Sequence, residues 1–294
     1  MTHPADHGRF PYSPIHARPD FSWPGGRRLA VYVAVNLECF AFGEAEGAAL
    51  ASSNPAPDVL NHAWRDHGNR VGVWRIIELL DELELPCTVL PNSGMYAEAP
   101  AVMDAFRTRG GDVAAHGRTN SEKQGAMDED AERALIEEAT RVLAEHEGRR
   151  PTGWLGPWIS ESHLTPDLLA EAGYRYVLDW AHDEQPVWMS TRGGGRILSV
   201  PYPQELNDVP HVVGRKGTAP AFADMIADAY TVHLRECTQR PVVMGVALHP
   251  YLMGQAHRFE SLARALRGLK ERATDAVWFT TATAISEHYA GLDL

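Results

Sequence analysis

The sequence has little cysteine, no long apolar run and no excess of positive charge, and each absence excludes a class of protein. The 3 cysteines among 294 residues lie far apart and form no CxxC pair, which argues against a disulfide framework and a thiolate zinc site. The longest apolar stretches, residues 29–35 and 242–248, are much shorter than the roughly 20 residues that a membrane span requires. With 27 basic and 39 acidic residues, the net charge of −12 argues against nucleic acid or an anionic membrane as a partner.

The composition is that of an ordinary globular protein. Hydrophobic residues make up 44% and charged residues 22% of the chain, which excludes a disordered or collagen-like chain. The N-terminal segment lacks the basic start and apolar core of a secretory signal, and we expect a cytoplasmic protein. Because one core can grow to this size, we predict a single domain over residues 26–294 after an N-terminal arm, residues 1–25.

Short β-branched runs alternate with longer segments of helical period, a pattern typical of βα units. The predicted strands are residues 29–35, 87–90, 112–115, 152–155, 176–178, 197–200, 242–248 and 277–280. The predicted helices are residues 71–83, 100–109, 130–147, 166–172, 221–236, 258–273 and 283–289. Residues 40–69 and 209–220 interrupt this rhythm and are predicted to be long functional loops. A distorted parallel (β/α) barrel of about seven strands accounts best for the alternation.

Polar side chains follow several of the predicted strands, where the catalytic residues of such a barrel collect. Glu38 follows the first strand, His116 the third and His249 the seventh in chain order. A carboxylate and two imidazoles at one end of a barrel can hold a water molecule or a metal and can move a proton. The sequence therefore predicts that Glu38, His116 and His249 are catalytic.

Further residues near the strand ends are predicted to bind substrate: Asn36, Arg118, Asn120, Trp154, Trp158 and Asp179. The Arg118 guanidinium could clamp a carboxylate or imide oxygen, or it could simply face solvent. The two tryptophans could line a pocket for a planar ring or pack the end of the barrel, and Asp179 could orient a histidine or cap a turn. Backbone N–H groups over residues 154–158 are expected to stabilise an oxyanion.

The order of these motifs resembles that of the polysaccharide deacetylase superfamily. The sequence reads NLE at 36–38, HGRTN at 116–120, RPTGWLGPW at 150–158 and LHP at 248–250. More narrowly, it resembles the branch that holds metal-independent allantoinase and cyclic-imide hydrolases, through GNRVGVWRI at 68–76, LND at 206–208 and VWFT at 277–280. The resemblance covers residues 19–289 and implies a distorted (β/α) barrel that hydrolyses carbon–nitrogen bonds.

One departure from the superfamily pattern bears on the metal. Metal-dependent members carry two aspartates after the first strand and an HxxxH motif after the third, where this sequence has Asn36, Glu38, His116 and Asn120. Glu38 and His116 remain candidate ligands, with Asn120 as a third, but a neutral amide replaces imidazole poorly at zinc. We expect either no required cofactor or a weakly bound divalent metal such as zinc.

The resemblance implies an enzyme that hydrolyses a small cyclic amide, imide or ureide. In this hypothesis Glu38 and His116 orient and deprotonate water, and His249 protonates the leaving nitrogen. A metal-dependent N-deacetylase of acetylated sugar or peptidoglycan is one alternative, although the missing second histidine and export signal count against it. A non-catalytic ligand-binding barrel is another.

The N-terminal arm carries the aromatic residues Phe10, Tyr12, Phe21 and Trp23. This is more aromatic surface than a monomer usually leaves in water. We therefore expect a homo-oligomer, a dimer or a tetramer, that binds a small-molecule substrate.

Overall fold

Two β-sheets organise the chain, which a computed structural model describes at residues 6–43, 47–51, 55–292 and 294. The strands in this part of the chain are β1 Leu29–Leu37, β2 Cys87–Pro91, β3 Asp112–Val113, β4 Gly153–Trp154, β5 Tyr176–Val177, β6 Val187–Ser190, β7 Arg196–Ser199, β8 Val242–Leu248 and β9 Val277–Thr280. In the first sheet, β1 pairs in parallel with β2, β8 and β9, and β2 pairs with β3. The second sheet has the order β4-β5-β7-β6, with β6 antiparallel to β7.

Single backbone bridges join the two sheets on both sides. Ala115, just beyond β3, bridges Trp154 of β4, and Asn207, which follows β7, bridges Ala247 of β8. Strands β1, β2, β3, β4, β5, β7 and β8 thereby form the distorted parallel (β/α) barrel that the sequence predicts. All of the predicted strands are present. Strand β6 is not among the predicted strands; it is an antiparallel strand at the end of the second sheet, and only Met189 of its four residues is buried.

The helices of the described residues mostly lie between strands. They are α1 Val59–His67, α2 Val73–Glu82, α3 Met95–Glu98, α4 Pro100–Thr108, α5 Glu129–Glu147, α6 Thr165–Glu171, α7 Ala219–Glu236, α8 Pro250–Met253, α9 Ala256–Glu271 and α10 Ala282–Ala290. Two π-helical turns are also present: Gly68–Gly72 lies between α1 and α2, and Val209–Gly214 precedes α7. The prediction of a loop over 40–69 is wrong for α1, which begins where the Asp58 carboxylate accepts a hydrogen bond from the Asn61 N–H.

Strand β1 lies at the centre of the core, and all of its residues are buried. A strand covered on both faces reads as a continuous apolar run, which is why this one is conspicuous in the sequence. Within the described residues, no helix is both long enough and apolar enough to cross a membrane.

The N-terminal arm packs against the barrel more closely than the sequence suggests. Phe21 and Trp23 are buried, and Arg9 forms an ion pair with Asp167 at 2.7 Å. Tyr12, by contrast, is 92% exposed. The idea that the arm leaves all its aromatic residues in water is therefore wrong for Phe21 and Trp23, because the chain itself covers them.

Candidate active site

The Glu38 carboxylate is the centre of a buried polar cluster just beyond the end of β1. Its Oε1 accepts a hydrogen bond from Asn120 Nδ2 at 2.6 Å, and its Oε2 accepts one from the Tyr251 hydroxyl at 3.1 Å. Oε1 also lies 3.3 Å from His249 Nε2 and 3.7 Å from His116 Nε2. The three predicted catalytic side chains therefore meet at one carboxylate oxygen.

His249 sits between two carboxylates. Its Nδ1 lies 2.6 Å from Asp208 Oδ1, and its backbone N–H donates to Asp208 Oδ2 at 2.9 Å. Burial alone would lower the pKa of His249, but Glu38 and Asp208 outweigh burial and raise that pKa to about 10. Burial likewise acts to raise the pKa of Glu38, but the charge of His249 and contacts with His116 and His249 hold it well below its usual range. At neutral pH the site thus holds one imidazolium between two carboxylates.

His116 has a different hydrogen-bond pattern. Its Nδ1 lies 2.8 Å from the carbonyl oxygen of Leu155. A carbonyl can only accept, so Nδ1 carries the proton, and in the neutral ring Nε2 carries a lone pair. Within the described part of the chain, Nε2 has no hydrogen-bond partner. The neutral His116 ring can therefore accept a proton at Nε2.

A cavity of about 110 Å³ adjoins these groups. Its lining includes all three predicted catalytic residues together with Asn36, Asn120 and Trp158. Trp158 is 38% exposed and adopts a left-handed backbone conformation with φ 64°. Its indole Nε1 donates to the Asn120 carbonyl oxygen at 2.8 Å, which fixes the ring as one wall of the cavity.

Three of the residues predicted to bind substrate lie elsewhere. Arg118 forms ion pairs with Glu122 and Glu138 and does not line the cavity. Trp154 is wholly buried, so it packs the end of the barrel, the second of the two interpretations.

Asp179 contacts neither histidine by a hydrogen bond, and its Oδ1 accepts from the Gly156 N–H at 2.6 Å. That N–H is therefore engaged, as is the Leu155 N–H, which donates to the Ala115 carbonyl oxygen at 2.9 Å. Two of the backbone donors expected to stabilise an oxyanion are thus already occupied. The His249 side chain, which lines the cavity and has a raised pKa, is a further donor there.

The amide of Asn120 faces Glu38 with its NH₂ group, and a chain of hydrogen bonds dictates this orientation. The backbone N–H of Cys39 donates to Asn92 Oδ1 at 2.9 Å, so the Asn92 NH₂ group must point the other way. It donates to Asn120 Oδ1 at 2.9 Å, which turns Asn120 Nδ2 toward Glu38.

This orientation bears on the candidate metal ligands. An NH₂ group cannot ligate a cation, so Glu38 and His116 have no third ligand in Asn120, and zinc sites normally have at least three protein ligands. Among the described residues no group of three or more His, Cys, Asp or Glu side chains is placed to hold a metal ion. The residues at this position do not fit a zinc site.

Sequence reasoning missed two residues that contact the catalytic groups. Asp208 lies in the LND motif, but nothing in the sequence shows that it pairs with His249, which is far away along the chain. Tyr251 lies two residues after His249. Its place directly after the predicted catalytic histidine was the one sequence signal that could have identified it. Burial raises the pKa of Tyr251 well above its ordinary value, so this hydroxyl is a neutral donor.

Known proteins share both the fold and the sequence pattern. The family profile of the polysaccharide deacetylases matches residues 65–177. The crystal structure of PuuE allantoinase aligns with a TM-score of 0.87 and 28% identity, over 100% of this chain and 99% of that one. The crystal structure of a probable polysaccharide deacetylase from Pseudomonas aeruginosa PAO1 aligns with a TM-score of 0.83 and 27% identity, over 95% and 98% of the two chains. A Schizosaccharomyces pombe protein described as a polysaccharide deacetylase is 22% identical over 94% of each chain.

These similarities extend over nearly the whole chain and agree with the barrel fold. The chain is thus similar to the polysaccharide deacetylase superfamily and has features of its allantoinase-like branch, and these similarities support a hydrolase of carbon–nitrogen bonds.

Proposed function

We propose that the protein hydrolyses a small, neutral cyclic amide, imide or ureide without a metal ion. The observation that carries this proposal is the Glu38 carboxylate, held between a protonated His249 and the unpaired Nε2 of His116 at the wall of a cavity. This arrangement supplies a proton acceptor and a proton donor on either side of one fixed negative charge, which are the groups that amide hydrolysis requires.

Water activation is the task of Glu38 and His116. Glu38 Oε1 and His116 Nε2 lie 3.7 Å apart. One water molecule can therefore donate one proton to the carboxylate oxygen and the other to the imidazole nitrogen. The water oxygen then attacks the carbonyl carbon, and His116 takes the proton. The low pKa of Glu38 makes it a poor base at neutral pH, so Glu38 orients the water and His116 is the base.

Leaving-group protonation is the task of His249. Its pKa of about 10 keeps Nε2–H in place at neutral pH. That N–H first stabilises the oxyanion of the tetrahedral intermediate and then passes its proton to the ring nitrogen as the C–N bond breaks. The ring opens to a carboxylic acid, whose proton goes to solvent as the carboxylate forms, and His116 then loses its proton while His249 regains one by exchange with solvent.

The size and charge of the cavity support a small neutral ring. An engineered protein cavity of about 150 Å³ holds benzene, and the cavity here has about 110 Å³. Two carboxylates against one imidazolium leave the site net negative when His116 is neutral, which disfavours an anionic substrate. The Trp158 indole offers a flat surface on which a planar ring can stack.

The direct test is a substrate comparison with protein dialysed against chelator. Hydantoin, succinimide and allantoin represent the cyclic class, and an N-acetylglucosamine oligomer represents the deacetylase alternative. Ring opening is followed by proton NMR, and acetate release by the same spectra. A His249→Gln variant distinguishes protein catalysis from background hydrolysis.

We expect ring opening of at least one cyclic substrate by the wild type and loss of about a hundredfold in kcat in the variant, the usual contribution of a general acid. Acetate release that depends on added zinc, without ring opening, would favour the deacetylase instead. No turnover of either class would favour the non-catalytic barrel.

A further inference from the structure

The π-helical turn Gly68–Gly72 contacts both sides of the active site. It joins α1 to α2, and its wide turn is closed by a hydrogen bond from the Val73 N–H to the Gly68 carbonyl oxygen. Such turns insert an extra residue into a helix and occur frequently at functional sites. None of its residues lines the cavity of about 110 Å³, so it has no direct part in the proposed reaction.

The first contact of the turn is with the segment that carries Glu38. Asn69 Nδ2 donates a hydrogen bond to the Glu38 backbone carbonyl oxygen at 2.8 Å. Glu38 lies just beyond the end of β1, so its main chain lacks the support of the β1 ladder. The side chain of Asn69 therefore fixes the point from which the carboxylate projects.

The second contact is with α8, the short helix that follows His249. A Cβ atom on Gly68 would lie 2.5 Å from the Tyr251 backbone nitrogen, and one on Gly72 would lie 2.2 Å from the Pro250 carbonyl oxygen. Both distances are far shorter than van der Waals contact and involve backbone atoms. Only glycine at these two positions allows the backbone of α8 to approach so closely.

The two contacts meet at one hydrogen bond. Tyr251, which packs on Gly68, donates its hydroxyl proton to Glu38 Oε2 at 3.1 Å, and Glu38 is held from the other side by Asn69. We propose that the π-helical turn is a positioning device that sets the distance between Tyr251 and Glu38, with Asn69 and Gly68 as positioning residues. The expected effect of this turn on the catalytic rate rests on the proposed function, whereas its effect on the Tyr251–Glu38 hydrogen bond does not.

Three variants test this proposal. Gly68→Ala inserts a methyl group against the Tyr251 backbone. Asn69→Leu keeps a side chain of similar size and removes the donor, and it serves if Gly68→Ala fails to fold. Gly268→Ala is the matched control, because Gly268 is a helical glycine of α9 with nothing within 4 Å of its added Cβ.

The readout that needs no substrate is the Cζ resonance of Tyr251 in protein labelled with ¹³C at that carbon, assigned with a Tyr251→Phe variant. A phenol that donates to a carboxylate has a Cζ shift distinct from that of a free phenol. We expect the resonance to move in Gly68→Ala and Asn69→Leu and to stay in place in Gly268→Ala. An unmoved resonance in both test variants would overturn the proposal.

Kinetics provide the second readout. We expect kcat to fall about tenfold or more with KM changed by less than about twofold, the signature of a lost transition-state interaction. In a Tyr251→Phe background the Gly68→Ala loss should shrink, because the two changes remove the same hydrogen bond. Fully additive losses would contradict the proposal. If the wild type turns over no substrate, the proposed function fails, and the Tyr251 resonance alone decides on the positioning role.

Discussion

Asp208 holds His249 by both its ring and its backbone. One carboxylate oxygen lies 2.6 Å from the ring Nδ1, and the other accepts the His249 backbone N–H at 2.9 Å. Asp208 itself is completely buried. A single carboxylate thus fixes the position and the ring orientation of His249 and helps to keep it charged. Because Asp208 is buried, water does not compete for these two contacts.

The first prediction concerns pH. The pKa of His249 is raised to about 10, so the acid is present below that pH and is lost as the pH rises through it. We expect kcat/KM to fall on the alkaline side near pH 10 and Asp208→Asn to move this limb to lower pH, because it removes one of the carboxylates that raise the pKa. Glu184→Gln is the control, since Glu184 raises the pKa of His233 in the same way outside the site. An alkaline limb unchanged by Asp208→Asn would remove His249 from the acid role.

The same shift affects stability. A histidine with a raised folded-state pKa stabilises the fold fully below its unfolded value of about 6.5, and the contribution disappears as the pH rises through the folded value. The free energy of unfolding from urea titrations should therefore fall between neutral pH and pH 10, and should fall less in a His249→Gln variant.

The second prediction concerns the base. His116→Gln removes the lone pair at Nε2, and we expect kcat to drop about a hundredfold or more with little change in KM. His288→Gln is a suitable control, because His288 also bonds a backbone carbonyl, that of Ser22, but lies away from the cavity. Steady-state kinetics of the two variants side by side are the measurement. Equal activities would show that another group activates the water.

The third prediction concerns metal. The wild type should keep its activity after dialysis against EDTA, because Asn120 presents a donor where a ligand would be needed. Asn120→His should bring a third ligand to Glu38 and His116 and bind zinc, while Asn120→Gln should not. Metal content by mass spectrometry decides the question. Near-stoichiometric metal in the wild type that is lost on His116→Ala would contradict the interpretation of the hydrogen-bond chain.

The fourth prediction concerns the cavity wall. Trp158→Ala should raise KM about tenfold with a smaller effect on kcat, because the stacking contact with the substrate ring is lost. Trp158→Phe should retain most of the affinity. Trp74→Ala, at a half-exposed position on α2, should leave both constants unchanged. A Trp158→Ala enzyme with the wild-type KM would mean that the ring does not stack there.

Much of the architecture could be predicted from local patterns. The buried parallel strands have continuous apolar runs, and polar residues directly after β1 and β8 identify the strand ends that face the site. These signals depend only on neighbours in sequence. They therefore placed Glu38, His116 and His249 correctly at one end of the barrel without a structure.

The remaining features depend on distant parts of the chain. The pairing of Asp208 with His249 and the orientation of Asn120 by Asn92 require knowledge of which segments meet, and no local period encodes that. For Arg118 the sequence left two interpretations open, and its ion pairs with Glu122 and Glu138 turn it away from the cavity. The homo-oligomer stays a prediction, which light scattering can test, and of the aromatic residues on which it rested Tyr12 is the one left almost fully exposed.

The two backbone bridges that close the barrel, Ala115–Trp154 and Asn207–Ala247, divide it into two halves with different functions. Ala115 precedes His116 and Asn207 precedes Asp208, so each joint lies next to a residue of the reaction centre. The half built on β1, β2, β3 and β8 carries Glu38, His116 and His249, whereas the half that follows β4 contributes the Trp158 wall and Asp208. Laboratory evolution confined to residues 156–160 and 203–206 can therefore explore new substrates while leaving the hydrolytic half unaltered.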